Sequence, residues 1–232
     1  MMRRLAVFAM LAVLAAGPAA AQQISSAETL LFETDHLARL KAPATLVYAF
    51  RKDSNVDPGF SDDVRLDLAR VGGKLSATLH FLSGEHKQDI PALEEAHGNP
   101  VLLGFLEHDI AEMKRLTGGS TSYFRKRIRM ALAESAQMSR QQIVYGGKTL
   151  RAQVVRIQPY LDDPMHARFE KYLHKIYTFV LSEEVPGGLY QLRTSVGSPE
   201  PMQAAASAPG PAATVPVIDE TLTLISVTPG QP

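Results

Sequence analysis

The sequence predicts an α+β fold in which a strongly curved antiparallel sheet of about eight strands forms a half-open barrel around inner helices. Several segments alternate apolar and polar residues with the period of two that is typical of strands. Glycine pairs separate successive strands and suit tight hairpin turns, which require positive φ angles. Between the strands lie segments with helical spacing and capping residues at their starts.

The first half of the chain predicts helices at both ends and strands between them. Ser25 and Glu28 have the spacing of a capping box, which begins the first helix. Strand spacing follows, and the glycine pair in residues 71–74 predicts a hairpin. Asn99 is a good N-cap and Pro100 suits the first helical position. We expect the sheet to curl around the helix that begins there.

Strand spacing returns in the second half. Arg125, Arg127 and Arg129 alternate with Ile128, Met130 and Leu132, with Lys126 on the opposite side, and a strand would line these arginines up on one face. A second glycine-pair hairpin is predicted at residues 145–148. The final hairpin is predicted to turn at residues 185–188, where proline fixes φ and glycine supplies a positive φ.

The predicted domain organisation is a signal peptide at 1–21, a single α+β domain at 22–196 and a tail at 197–232. The tail begins with a Pro/Ala-rich stretch that lacks large apolar residues, so we expect it to be mostly disordered. Residues 221–227 have strand character. This short strand is expected to join the sheet of this chain, to pair with a partner, or to remain a loose end.

The N-terminus predicts export. Arg3 and Arg4 precede a short apolar run, and small residues at 19–21 suit a cleavage site. The apolar run is shorter than the roughly 20 residues that a membrane-spanning helix needs, so no transmembrane anchor is expected in the mature form. The chain has no cysteine, which argues against a lipid-modified N-terminus and against disulfides. A periplasmic protein that is not a lipoprotein is therefore expected, and a secreted protein is the alternative.

Charge and motifs exclude several function classes. Basic and acidic residues balance, which gives no overall field to recruit nucleic acid. His108 and Glu112 share a helix face, but a third ligand at matching spacing is absent, so no metal site is predicted. Nucleophile-elbow, phosphate-loop and dinucleotide motifs are absent, so neither catalytic residues nor a cofactor are predicted.

The arginine row is the one candidate contact site in the sequence. On a strand face, Arg125, Arg127 and Arg129 would contact an anionic group, such as a phosphate headgroup, or an acidic partner protein. The alternative is a solvated face whose arginines pair with acids across the sheet. The residues that would bind an apolar ligand are not identified by any motif.

The order of elements resembles the half-barrels of periplasmic lipoprotein carriers and related lipid-binding proteins. The segments 99–125 and 146–188, with the phrases at 159–164 and 177–182, are similar to an uncharacterised proteobacterial family of exported periplasmic proteins. The resemblance covers most of the mature chain and implies no catalytic residues. It implies an architecture, while function depends on the site itself.

The leading hypothesis is a periplasmic binding or carrier protein for a hydrophobic or lipid-like ligand. It expects an apolar hollow between the curled sheet and the helix that begins near Asn99. The first alternative is an envelope interaction protein that docks a partner through the arginine row or the C-terminal strand. The second alternative, less favoured, is a hydrolase.

Overall fold

The computed structural model describes residues 24–197 and 217–230, which form one antiparallel sheet and the helices packed on its inner side. The strands are β1 (Ala44–Ser54), β2 (Phe60–Val71), β3 (Lys74–Phe81), β4 (Gln88–Asp89), β5 (Gln137–Tyr145), β6 (Lys148–Ile157), β7 (Ile176–Leu181), β8 (Leu189–Val196) and β9 (Ile218–Pro229). The helices are α1 (Ser26–Glu28), which continues as a π-helical turn over Thr29–Glu33, α2 (Pro100–Thr117) and α3 (Thr121–Glu134). Short 3₁₀ turns lie at Gly84–His86, His166–Arg168 and Glu170–Tyr172.

The predicted α+β half-open barrel is confirmed. The strand order is β4-β3-β2-β1-β9-β8-β7-β6-β5, and every pairing is antiparallel. The outermost strands, β4 and β5, do not pair with each other, so the curved sheet stays open while it wraps the helices.

The predicted glycine-pair hairpins form. Gly72 and Gly73 join β2 to β3, and Gly146 and Gly147 join β5 to β6. All four have φ between +57° and +83°, which is the left-handed region that a type I′ turn requires at both central positions.

The helix starts at α1 and α2 also follow the sequence. Ser25 and Glu28 form the predicted capping box, and the Ser25 hydroxyl donates to the Leu132 carbonyl at the end of α3. At α2 the Asn99 side chain accepts the Val101 N–H, and Gly118 ends the helix in the left-handed conformation. No helix in the described part of the chain is long and apolar enough to cross a membrane. The predicted signal peptide at 1–21 lies outside the described residues.

The prediction of a strand that carries the arginine row is wrong, because these residues lie on α3. Ser120 caps this helix by accepting the Tyr123 N–H. The residues of α3 that are buried repeat at helical spacing, and they are Phe124, Ile128, Ala131 and Leu132. On a helix, positions two apart point in different directions while positions four apart are neighbours, so Arg127 points away from the face that Arg125 and Arg129 share.

The C-terminal segment is a central strand of the sheet. β9 pairs with β1 on one side and with β8 on the other, and it is longer than the predicted 221–227. Ile218, Glu220, Leu222 and Leu224 are its buried positions, so the strand presents one regular face to the core. Of the three expected roles, the structure shows the first: the segment completes the sheet of its own chain.

The apolar hollow that was expected between the sheet and α2 is filled by side chains. The inner-face residues that pack beneath α2 are at most 2% exposed, and they include Leu46, Tyr48, Phe50, Leu66, Phe81, Leu192 and Leu222. Gly104 on α2 brings the helix so near that a Cβ atom there would lie 2.8 Å from Leu79 and 2.9 Å from Phe81. This close packing is that of an ordinary protein core and leaves no space for cargo at these positions.

Candidate functional site

A groove opens at the mouth of the half-barrel, beyond the filled core. One wall is the segment 30–40, which we call the N-terminal strap, and the other is the turn between β7 and β8, residues 181–188. The cavity measures about 580 Å³, within the range of small-molecule sites. Its apolar lining comes from Leu30, Ala38, Leu40, Leu181, Val185 and Pro186.

The β7–β8 turn is fixed close to the start of α2. Gly187 has a φ of +74°, and a Cβ atom there would lie 2.6 Å from Leu46, so only glycine suits this position. The Asn99 amide donates to the Gly187 carbonyl at 2.9 Å and to the Tyr48 hydroxyl at 2.8 Å. The residue that caps α2 therefore also holds the inner wall of the groove.

The strap is held to the same point through His36. The Nε2 atom of His36 lies 2.9 Å from the Leu30 carbonyl, and its Nδ1 atom lies 3.4 Å from the Asn99 backbone N–H. This pattern fits a neutral imidazole that donates through Nε2 and accepts at Nδ1. Burial lowers the pKa of His36, and the hydrogen bond to the Leu30 carbonyl opposes that shift only in part.

The outer lip of the groove is closed by an exposed ion pair. Arg39 on the strap donates to the Glu183 backbone carbonyl at 3.0 Å and to its carboxylate at 3.2 Å. Both side chains are about three-quarters exposed, and such pairs contribute only about 0–1 kcal/mol. The lip therefore separates at little cost, and an anionic group on a ligand is able to replace Glu183 at the Arg39 guanidinium.

A second hollow of about 280 Å³ lies on the other side of the strap. Ala38 and Leu40 line both the groove and this second hollow. The neighbouring Leu37 is 1% exposed. The strap is thus anchored in the core at Leu37 and flanked by open space on both sides.

The opposite end of the inner face carries buried charges, and we call it the ionic end. Lys52 on β1 lies directly opposite Glu220 on β9, at 3.3 Å, and 2.9 Å from Glu112 on α2. Burial lowers the pKa of Lys52, but Glu220 and Glu112 outweigh it and raise the value. For Glu112, burial alone would raise the pKa, but hydrogen bonds from Arg115 and Lys52 lower it to about 2.

A second buried pair adjoins this cluster. Lys175 donates to one oxygen of Asp109, and the Tyr177 hydroxyl donates to the other at 2.5 Å. Asp109 and Lys175 are 0% and 2% exposed, so this pair is closed to solvent. In the described residues, no three His, Asp or Glu side chains form a group that could hold a metal ion.

Arg125 and Arg129 share one face of α3, and Arg127 is turned away from them. Arg125 is exposed and paired with Glu107 on α2, with a shortest distance of 2.6 Å. Arg127 turns inward, 3.1 Å from the Pro159 carbonyl and 2.9 Å from the buried Asp163 carboxylate. Arg129 is exposed on the helix surface. The structure therefore brings no row of three arginines together for an anionic group or partner.

Sequence reasoning missed the groove, and at the ionic end it noted the shared helix face of His108 and Glu112 but not their buried partners Glu220 and Lys52. The groove joins two segments that are distant in the chain and share no motif. The ionic end could have been predicted in part, because Lys52 continues the alternate positions of β1 that hold the buried residues Leu46, Tyr48 and Phe50. A charge on the buried face of a strand predicts a buried partner.

No protein-family model matches the chain, and no curated protein matches it. Among solved structures it is similar to the lipoprotein LppX of Mycobacterium tuberculosis, with 12% sequence identity and a TM-score of 0.31. That alignment covers 78% of this chain and 84% of the other. A similarity this low carries no argument about function, so the site must be interpreted from its own geometry.

Proposed function

We propose that this protein binds a hydrophobic or lipid-like ligand in the groove between the N-terminal strap and the β7–β8 turn. The observation that carries the proposal is the cavity of about 580 Å³ with an aliphatic lining. Apolar walls with a few polar groups at the rim are the usual form of a small-molecule site. The ligand site moves from the filled interior, where the sequence suggested it, to the mouth.

The rim supports an amphipathic ligand with an anionic group. The apolar part would lie against Leu30, Leu40 and Pro186, which line the groove and are partly buried. The headgroup would reach Arg39, whose two contacts with Glu183, to the carboxylate and to the backbone carbonyl, are both exposed. The predicted export signal suits a carrier in the periplasm, and that location is part of the proposal.

The test uses a fluorescent fatty acid with a sixteen-carbon chain, titrated against the purified protein. Ala38 is exposed and lines both sides of the strap, so Ala38→Trp fills the groove without disturbing the core. We expect this variant to weaken binding at least about tenfold, which corresponds to 1.4 kcal/mol. The methyl ester of the same probe should bind more weakly than the acid if Arg39 receives the headgroup.

The matched control is Ala69→Trp, which adds the same side chain at an exposed position of β2 outside the groove. It should bind the probe as the wild type does. Absence of binding by the wild type, or equal binding by the wild type and Ala38→Trp, would overturn the proposal.

Docking of an envelope partner, the first alternative, has less support. Arg127 turns inward and leaves the expected basic face, Arg125 is paired with Glu107, and the C-terminal strand is used within the sheet. The proposal is for a binding protein rather than a hydrolase. Activity screens on esters, glycans and peptides test that choice, and turnover lost in Ala38→Trp would favour the hydrolase.

A further inference from the structure

The two edges of the sheet are built differently. At one edge β4 has two residues, and the chain that follows it covers β3, because Ala77 and Leu93 exchange two backbone hydrogen bonds of 2.9 Å and Ala96 donates to Leu75 at 3.0 Å. At the other edge β5 has nine residues paired with β6 in unbroken register. It contains no proline, glycine, lysine or bulge, the devices that usually protect an edge strand.

The first six residues of β5 are exposed, and two of its apolar side chains face solvent. Met138 is 41% exposed and Val144 is 64% exposed. The strand carries a single charge, Arg140, and no acidic residue. Within residues 24–197 and 217–230, this edge is therefore regular, nearly neutral and open along most of its length.

The geometry of the hairpin turn determines which backbone groups of β5 point away from β6. In a type I′ turn of two residues, Tyr145 and Lys148 form a hydrogen-bonded pair. The backbone N–H and C=O groups of every second residue, counted backwards from Val144, therefore point away from β6. The outward positions are therefore 138, 140, 142 and 144. The Val144 carbonyl accepts a hydrogen bond from the Tyr190 hydroxyl at 3.3 Å, and its second lone pair remains for a further donor.

The side chains at these positions would match those of a second β5 strand if the two strands paired antiparallel with Gln141 at the centre. Met138 and Val144 are equally distant from it, so an antiparallel copy would place Met138 of one chain opposite Val144 of the other. The same register places Arg140 opposite Gln142. Pairing about Arg140 would oppose two like charges, and pairing about Ser139 would leave Val144 without an apolar partner.

We propose that β5 pairs with β5 of a second copy of this chain, antiparallel about a two-fold axis at Gln141, to continue the sheet across both copies. The contact extends over about seven residues and is smaller than a standard protein interface, so the dimer should be weak and depend on concentration. It is independent of the ligand groove, because β5 does not line that cavity.

The test uses the absence of native cysteine. In the proposed register the two Gln141 Cα atoms face each other as a non-hydrogen-bonded pair about 4.5 Å apart, within disulfide range. Gln141→Cys should crosslink under mild oxidation of concentrated protein, at which a weak dimer is populated. Ser139→Cys is the matched control, because its two Cα atoms would lie roughly 14 Å apart.

Efficient crosslinking of Gln141→Cys with little crosslinking of Ser139→Cys supports the proposal. Equal crosslinking of both variants, as random collision would give, overturns it. Crosslinking of Ser139→Cys alone, or of neither, also overturns it. Sedimentation velocity over a concentration series provides a second measurement: the wild type should shift towards dimer, and Met138→Lys, which adds a charge at the edge, should stay monomeric.

Discussion

The two ends of the interface between α2 and the sheet are held in different ways. At the mouth, Asn99 bonds to Tyr48 and Gly187 through neutral groups, and an exposed ion pair closes the lip of the groove. At the ionic end, Lys52 and Lys175 are buried with carboxylates of α2 and the sheet. The same helix is thus joined to the sheet by neutral hydrogen bonds at one end and by closed charge pairs at the other, while the weak ion pair at the mouth joins the strap to the β7–β8 turn.

This difference assigns separate roles to the two ends. An exposed ion pair contributes about 0–1 kcal/mol, whereas removing one partner of a buried pair costs about 3–5 kcal/mol. Opening the lip therefore leaves the position of α2 unchanged, since the ionic end keeps the helix against the sheet. A protein that admits a ligand at one end benefits from a fixed core at the other.

The largest effect is expected from Asp109→Ala at the ionic end. The variant leaves Lys175 buried without the carboxylate that accepts its hydrogen bond, and it also removes the acceptor of the Tyr177 hydroxyl. We expect the free energy of unfolding to fall by about 3–5 kcal/mol in urea denaturation.

Glu107→Ala is the matched control on the same helix. Glu107 pairs with Arg125 at the surface, where both side chains are about half exposed, so its loss should change stability by no more than about 0.5 kcal/mol. Similar losses in the two variants would show that the buried pair does not hold α2.

A smaller effect is expected from Asn99→Ala at the mouth. The change removes the cap of α2 and both donated hydrogen bonds, which together should cost about 2 kcal/mol. Asn99→Asp keeps the acceptor for the Val101 N–H, but its buried carboxylate faces the Gly187 carbonyl without a donor, so it should destabilise the mouth at least as much as Asn99→Ala. Unfolding in urea provides the measurement.

Ser120→Ala provides the comparison for a cap alone, since Ser120 accepts the Tyr123 N–H at the start of α3. It should cost about 1 kcal/mol. If Asn99→Ala costs no more than this, the bonds from Asn99 to the mouth contribute nothing to stability.

Local patterns were enough to predict the hairpins and the start of α2. Alternation and glycine pairs define β2–β3 and β5–β6 within a few neighbouring residues, and Asn99 with Pro100 defines a helix start in the same way. These features form where the chain itself supplies the geometry, so the sequence was sufficient for them.

The features that failed depend on competing or distant patterns. Alternating arginines suggested a strand, but the buried residues Phe124 and Ile128 follow helical spacing, and burial of that stripe determines α3. The position of β9 depends on pairing with β1 across most of the chain. The groove joins the strap to the β7–β8 turn, and no local pattern records that contact.

The smallest expected effect is a difference in how the two ends respond to pH. His36 has its pKa lowered by burial, so the unfolded chain takes up the proton first and the mouth loses stability as pH falls through about 6.5. Protonation at Nδ1 also removes the acceptor of the Asn99 N–H.

Glu112 at the ionic end has a pKa of about 2 against an ordinary value of 4.5, so its contribution is complete above about pH 4.5 and is lost only as pH falls towards 2. Hydrogen exchange, corrected for its intrinsic pH dependence, should therefore quicken at Leu37 and Gly188 between pH 7.5 and 5.5 while the C-terminal half of α2 stays protected. Replacing His36 by Asn should abolish the change at the mouth. Loss of protection at both ends over this interval would contradict the separation, because it would show that the mouth and the ionic end open as one unit.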